Sequence, residues 1–323
     1  MSARLVPAMV LAALTLVVPP AARGADELAQ EQPAPAEKHW SLHADSGFQY
    51  DSNVALDPSG QTLPGAPSNP ADGAFIVGAG GQYDLVDSAP WQASLEYDFY
   101  QSLHFRLHDF NLRSNRVVGT AGYAPTSTLW TGVQAGYQHF VLGDQPYSGA
   151  PFVTPFVSLV QGDWGLTQFV YQHAQVTYLS PPFEDVRTGP TDTASLSQTL
   201  YWGARYVTLG YEFGSVRPSS AAGDDYRERY NQVSVGAGFS PGWKTTVDVN
   251  YLFRYENYPD PNSAADFRTN RQDAVNQFSV SIGRPLTPYL SLGLAYYGTI
   301  DDSNIPVYQY RRNIVSAEVR VAY

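Results

Sequence analysis

Three observations in the 323-residue sequence predict an all-β fold: a transmembrane, antiparallel, up-and-down β-barrel of about 14 strands. Apolar and polar residues alternate with period two through most of the chain from His39 to Tyr323, which is the pattern of half-buried strands. Short turns recur about every 40 residues, and longer polar loops fall between them. All six Trp lie at the start of the first strand or beside a short turn. A soluble sandwich has no reason to gather its Trp at one end, whereas a membrane does, because indole collects at the water–lipid boundary.

The chain opens on Arg4, an apolar run Leu5–Val18, then Pro19-Pro20 and Ala22-Arg23-Gly24. That layout predicts a secretory signal peptide over 1–24. Cleavage after Gly24 takes the net charge from −11 to −13. Residues 25–38 are rich in Ala, Glu and Pro and predict a disordered periplasmic stub. Residues 39–323 form the barrel, and no apolar run there is long enough for a helical span.

The alternation is clearest in three places. Trp91, Ala93, Leu95, Tyr97 and Phe99 oppose Gln92, Ser94, Glu96 and Asp98. Val247, Val249, Tyr251, Phe253 and Tyr255 oppose Asp248, Asn250, Leu252 and Arg254. Val315, Ala317, Val319, Val321 and Tyr323 oppose Ser316, Glu318, Arg320 and Ala322. The faces of Trp164–Tyr178 cannot be assigned from the pattern. Short turns fall near 88, 126, 162, 204, 242 and 287. Long loops fall near 57–73, 104–109, 142–150, 179–190, 217–225, 256–270 and 300–306. Short turns on one side and long loops on the other is the outer-membrane layout. The expected girdle at the short-turn end is Trp40, Trp91, Trp130, Trp164, Trp202, Trp243, Tyr289 and Tyr323. A second belt is expected at the far ends, from Tyr50, Tyr100, Phe140, Tyr178, Tyr255, Tyr297 and Tyr308.

Composition narrows the function. With no Cys, disulfides, thiolate metal sites and thiol nucleophiles are excluded. The acidic balance of 30 Asp+Glu against 19 Lys+Arg speaks against nucleic acid. His104 and His108 have zinc-like spacing but neither the helix nor the Glu base. There is no G-x-S-x-G elbow. His139 and His173, with Asp144 and Asp185 in adjoining loops, leave a rim Asp/His hydrolase as the enzymatic alternative to solvated rim histidines. The expectation is no enzyme, no cofactor and no metal. The polar face yields lumen candidates Glu96, Asp98, Arg116, Glu212, Asp248, Arg254, Arg312, Glu318 and Arg320. They suit either a lattice of Arg–carboxylate pairs or a charged eyelet. Asp51-Ser52-Asn53 repeats as Asp302-Ser303-Asn304. Asp51, Asn53, Asp302 and Asn304 at the rim fit polar turn chemistry or a Ca²⁺ site.

Three stretches carry a family resemblance: Tyr50-Asp51-Ser52-Asn53-Val54, Arg271-Gln272-Asp273, and the run from Ser303 to Asn313. Together they resemble the barrel of the surface lipoprotein assembly modifier family. The resemblance covers the barrel, and residues 25–38 hold no tetratricopeptide repeat. It implies a 14-stranded outer-membrane barrel and an export or assembly role, for a surface lipoprotein or polysaccharide, with a periplasmic partner. The final alternating strand ending in Tyr323 resembles the signal read by the barrel-assembly machinery. The polar inner face by itself points to a channel for small polar solutes. Outer-membrane lipid is the other expected partner.

Overall fold

The computed structural model describes residues 38–59, 67–181 and 183–323. The segments expected to be a signal peptide and, but for Lys38, a stub lie outside the described residues. Fourteen strands follow in chain order: β1 (Trp40–Asp51), β2 (Asp72–Ser88), β3 (Trp91–His104), β4 (Leu112–Tyr123), β5 (Leu129–Leu142), β6 (Gln145–Gln161), β7 (Gly165–Tyr178), β8 (Gly189–Trp202), β9 (Arg205–Val216), β10 (Glu228–Gly242), β11 (Thr245–Pro261), β12 (Asn270–Pro285), β13 (Leu290–Ser303) and β14 (Tyr310–Ala322). Each pairs antiparallel with the next, and β14 closes on β1. Closure leaves no strand edge, the condition for a sheet to stand in hydrocarbon.

The short turns fall where the sequence places them. The long loops are shorter than expected where β11 runs on to Pro261 and β13 to Ser303, and they differ most at one point. The loop expected over 142–150 is only Gly143 and Asp144, and β5 and β6 run on into it. Gly143 at φ +60° makes so tight a connection possible. Prolines sit inside β6. Pro151 and Pro155 keep their partners on β5, but the β6–β7 register skips both positions, because proline has no N–H to donate.

Parity separates the two faces. Outside are Leu95, Tyr97, Leu209, Tyr211, Phe213, Tyr251, Phe253, Val315 and Val319, all large and exposed. On β7 the ambiguous faces resolve: Phe169 and Tyr171 point out, whereas Gln168, Ala174, Val176 and Tyr178 are buried inside.

At the short-turn end, Trp40, Trp91, Trp164, Trp202, Trp243, Tyr289 and Tyr323 form the expected exposed girdle. Its rings touch in pairs, Trp91 with Tyr123 at 4.5 Å and Trp40 with Tyr323 at 5.3 Å. Trp130 is the exception. It shares parity with the buried Gln134 and Gln138 of β5, so it points inward and packs on Phe156 at 4.6 Å.

The second belt is corrected more heavily. Tyr50 and Tyr255 are outside. Tyr100, Phe140, Tyr178 and Tyr297 have inward parity, and Tyr308 lies in a loop. A different belt takes its place. Tyr97, Tyr171, Tyr211, Tyr251 and Tyr296 each stand six residues into their strand. Each hydroxyl donates to an outward side chain on the next strand: Asn115 (3.0 Å), Asp192 (2.6 Å), Asn231 (2.6 Å), Asn276 (2.7 Å) and Asn313 (2.8 Å). In every case the acceptor pairs in register with the residue two beyond the Tyr. A phenol with its ring in lipid and its hydroxyl on a polar partner marks the far edge of the apolar band.

Val249 sits between the girdle and this belt on the lipid face, and Asp248 faces the lumen. We expect Val249→Arg to cost about 2–4 kcal/mol and Asp248→Asn far less. Equal unfolding midpoints in a lipid refolding titration would contradict the face assignment. In single-Trp variants, brominated lipid should quench Trp91 strongly and Trp130 weakly.

Candidate functional site

The inner face is largely polar, with apolar patches such as Val118, Phe152 and Ala174, and its burial changes with height. Along β2, Asp72, Ala74, Ile76 and Gly78 are buried, while Gly80, Gln82 and Asp84 are partly open. Along β12, Arg271, Asp273 and Val275 are buried, while Gln277, Ser279 and Ser281 are partly open. On these strands the long-loop half of the lumen is packed and the short-turn half is accessible, whereas on β6 and β7 burial runs on to the short-turn end at Phe156, Ser158, Leu166 and Gln168.

Three devices fill the packed half. The first is an ion pair at the seam between β1 and β14. Arg312 Nε donates to both carboxylate oxygens of Asp51, at 3.0 and 2.9 Å, and Nη2 adds a further contact. Asp51 is 1% exposed and also accepts from the Asn53 backbone N–H at 2.9 Å. Asn53 in turn donates to the carbonyls of Asp57 and Arg311. Arginine suits this place because its fork meets both carboxylate oxygens at once.

The second device is a stack of Arg, Tyr and carboxylate groups on β9–β13. Tyr230 donates to Glu212 at 2.9 Å, and the Arg254 guanidinium lies 4.3 Å above the Tyr230 ring. Arg254 Nε donates to Gln232 at 2.8 Å, and Nη1 lies 3.7 Å from Glu256. The Tyr258 hydroxyl donates to Glu256 at 2.9 Å and approaches Glu228 at 3.5 Å. Arg271 lies between the rings of Tyr258 (4.4 Å) and Tyr308 (3.7 Å) and is ion-paired with Asp273, which is fully buried. Asp301 is buried in the same electrostatic neighbourhood. The Tyr308 hydroxyl donates to Asn262, which is also fully buried and holds the loop after β11. Among the loop groups here, burial pushes the Tyr308 phenol above its usual range, and burial likewise raises the Asp57 carboxyl.

The third device is apolar and has no counterpart in the sequence reading. Phe140, Tyr147, Ala150, Val176 and Tyr178 meet Phe183 of the short helix α1 (Phe183–Arg187). Parity puts Phe140 and Tyr178 inside the barrel, a register shift between Phe140 and Val141 brings Tyr147 in beside them, and a loop helix lies over all three.

The expected lumen residues all point inward, but to different levels. Arg312, Arg254 and Glu212 belong to the packed half. Arg116 faces the accessible half, 3.3 Å from Glu96 and 3.5 Å from Asp98. Asp248 accepts from Tyr206 at 2.6 Å, and Glu318 and Arg320 lie lower on β14. The residues not foreseen are Glu228, at the start of β10, and Glu256, Tyr258 and Asp301, whose parity in Tyr255–Asp260 and Ile300–Ser303 was legible but whose convergence was not.

The rim triplets lie on β1 and β13, and β14 separates them, so they are not on adjacent strands. Asp51 is taken by Arg312. Asn304 accepts from the Gln272 N–H at 2.8 Å and donates to the Asn270 carbonyl, which is turn chemistry. Among the described residues no group of three His, Asp or Glu side chains is arranged to hold a metal.

His104 is buried 3.9 Å from Asp72, whose carboxylate accepts from the N–H groups of Arg106 and Leu107 at 2.8 Å each. His108 lies in a separate turn. His173 Nδ1 meets Asp192 at 2.8 Å on the outer wall, where Arg217 and Tyr171 also bind that carboxylate. Ser215 pairs in register with Asp192 from the side opposite His173, so the histidine does not stand between serine and acid as a triad requires.

The fold is that of an outer-membrane β-barrel. OmpT of Vibrio cholerae, an outer membrane protein folded in vitro, superposes with a TM-score of 0.50 at 8% identity, covering 90% of this chain and 100% of that one. The anion-selective porin from Comamonas acidovorans gives 0.48 at 9% identity, covering 88% and 98%. The CymD monoaromatic hydrocarbon channel gives 0.48 at 9% identity, covering 89% of each chain. At such identities the likeness is one of fold. No protein-family model and no curated protein matches the sequence.

Removing one member of the Asp51–Arg312 pair leaves the other charge buried and unpaired. Asp51→Ala should cost about 3–5 kcal/mol, and the double variant with Arg312→Ala should cost less than the sum. Urea unfolding from lipid vesicles reads both; additive losses would mean the pair is not coupled.

Proposed function

We propose that the barrel is a channel for small polar solutes, closed at its long-loop end by the charged and aromatic packing described above. The observation that carries this reading is the gradient along the inner face of strands such as β2 and β12, which is packed at the long-loop end and opens toward the short-turn end onto polar, partly accessible side chains. Solutes would enter an aqueous vestibule lined by Arg116, Glu96, Asp98, Asp248, Glu318 and Arg320. Passage would then require the plug to yield. Transport is preferred to catalysis because the one His–Asp pair on the outer wall, His173 with Asp192, has its carboxylate committed to Tyr171 and Arg217.

A second reading is export or assembly of a surface lipoprotein or polysaccharide with a periplasmic partner. Two things support it. The open vestibule faces the side where the termini lie. The residues that resemble the surface lipoprotein assembly modifier barrels, Asp51, Arg271, Asp273, Tyr308 and Arg312, are the ones that build the closure. In either reading β14, with Val315, Ala317, Val319, Val321 and Tyr323 outward, is the strand offered to the barrel-assembly machinery.

Single-channel recording of the refolded protein in a planar bilayer tests the channel. The native chain should conduct in brief or small steps, and Arg271→Gln should lengthen or enlarge them. Arg116→Glu should shift the reversal potential toward cation preference. A barrel that folds yet stays silent in both variants would favour export.

A further inference from the structure

We propose that the outer wall binds phosphate-bearing lipid headgroups through Arg113, Arg229 and Arg311. The argument starts from a repeat on the lipid side. Three of the Asn residues that accept from the tyrosine belt are preceded two positions earlier by arginine, as Arg113-Ser114-Asn115, Arg229-Tyr230-Asn231 and Arg311-Arg312-Asn313. Period two puts each Arg on the same outward face as its Asn and one step farther from the membrane centre. All three are exposed.

Their height follows from the register. Arg113 pairs with Gln101, Arg229 with Ser215 and Arg311 with Ile300. Each partner stands ten residues beyond the first residue of its strand, Trp91, Arg205 or Leu290. A rise of ~3.3 Å per residue at a tilt of ~40° places them about 25 Å above the short-turn girdle. That equals the height of the apolar band of an outer-membrane barrel, ~25 Å. The three guanidiniums therefore sit where hydrocarbon ends and headgroups begin.

The charge is unspent. Arg116, Arg227 and Arg312 are each ion-paired, whereas Arg113, Arg229 and Arg311 make no ion pair with a described residue. The nearest outward carboxylate in register is Asp302, two positions beyond Ile300, and it forms no ion pair with Arg311. In a chain where acids outnumber bases 30 to 19, unpaired arginines at one level of the lipid wall call for an anion from outside the protein. A phosphate monoester matches the guanidinium fork and is held by two parallel hydrogen bonds. The three strands, β4, β10 and β14, are spread around the closed sheet, so the contacts form a collar rather than one pocket. This inference concerns the outer wall and is independent of what the lumen carries.

The test uses the full chain refolded in zwitterionic micelles. The probes are diphosphorylated lipid A, the same glycolipid without its phosphates, and inorganic phosphate, each read by native mass spectrometry and by thermal unfolding. The native chain should bind the diphosphorylated lipid about a hundredfold tighter than the triple variant R113Q/R229Q/R311Q, at about fivefold per arginine. The dephosphorylated lipid should bind both chains equally weakly, and inorganic phosphate should neither bind nor compete. Arg268→Gln, in the exposed loop after β11, should change nothing. If the triple variant does not fold, each single variant should still lose about fivefold. Equal binding by native and variant chains overturns the proposal, as does competition by inorganic phosphate, which would make the ligand a free anion rather than a lipid.

Discussion

Everything in this protein follows from the demand that no backbone N–H or C=O be left unpaired in hydrocarbon. A sheet can meet that demand only by closing, and the β1–β14 pairing is the contact that closes it. The seam is reinforced from inside by Asp51 and Arg312, which lie on those two strands. It is reinforced above by Asn53, which reaches back to the carbonyl of Arg311. The ends of the chain are thus tied at both levels, by Trp40 against Tyr323 at the girdle and by the ion pair at the far end.

Closure then separates two chemistries. The outer face needs only apolar surface at mid-height and amphipathic side chains at its edges. The Trp girdle and the tyrosine belt supply those edges, and they do so by repeating the same step in successive hairpins. The β5–β6 hairpin departs from the repeat. There Gly149 stands where the others have Asn or Asp, and its missing side chain leaves room for the Tyr137 hydroxyl, which a Cβ would meet at 2.2 Å, inside contact distance.

The inner face has a harder problem, because the loops that cover it carry away water from charged groups. Glu212, Glu228, Glu256, Asp273 and Asp301 face only Arg254 and Arg271 on their side of the lumen. Tyrosine hydroxyls and ring faces supply the remaining stabilisation. This explains the many Tyr and the near absence of Lys, since an ammonium offers neither the flat face that stacks on a ring nor the fork that meets a carboxylate. On β5–β8 the same volume is filled mainly by apolar groups, Phe140, Tyr147, Val176, Tyr178 and Phe183, with the Arg187 guanidinium over the Phe183 ring. The two halves of the plug therefore differ in kind, one polar and one apolar.

How much of this was legible in the sequence depends on the range of the interaction. Strand number, the face of each clear strand and the short turns are local, written in period two and in Pro, Gly and Asp. The 142–150 loop went furthest astray, since a polar stretch reads locally as a loop, whereas the register with β5 keeps it in the strands. Trp130 shows the same limit: its place beside a short turn marked it for the girdle, and one step of parity turned it inward. Asp51, Arg271, Asp273 and Arg312 stood out as polar residues at strand ends. That they form a closure is a fact about strands brought together by the barrel's circumference, across 261 positions of chain for Asp51 and Arg312. The sequence alone determined that a closed, two-faced sheet forms. The tertiary structure decided that its inner face is packed at the long-loop end, packed along its length on β6 and β7, and open toward the short turns on strands such as β2 and β12, because burial depends on which loops and side chains fold over which strands, and no local pattern encodes that.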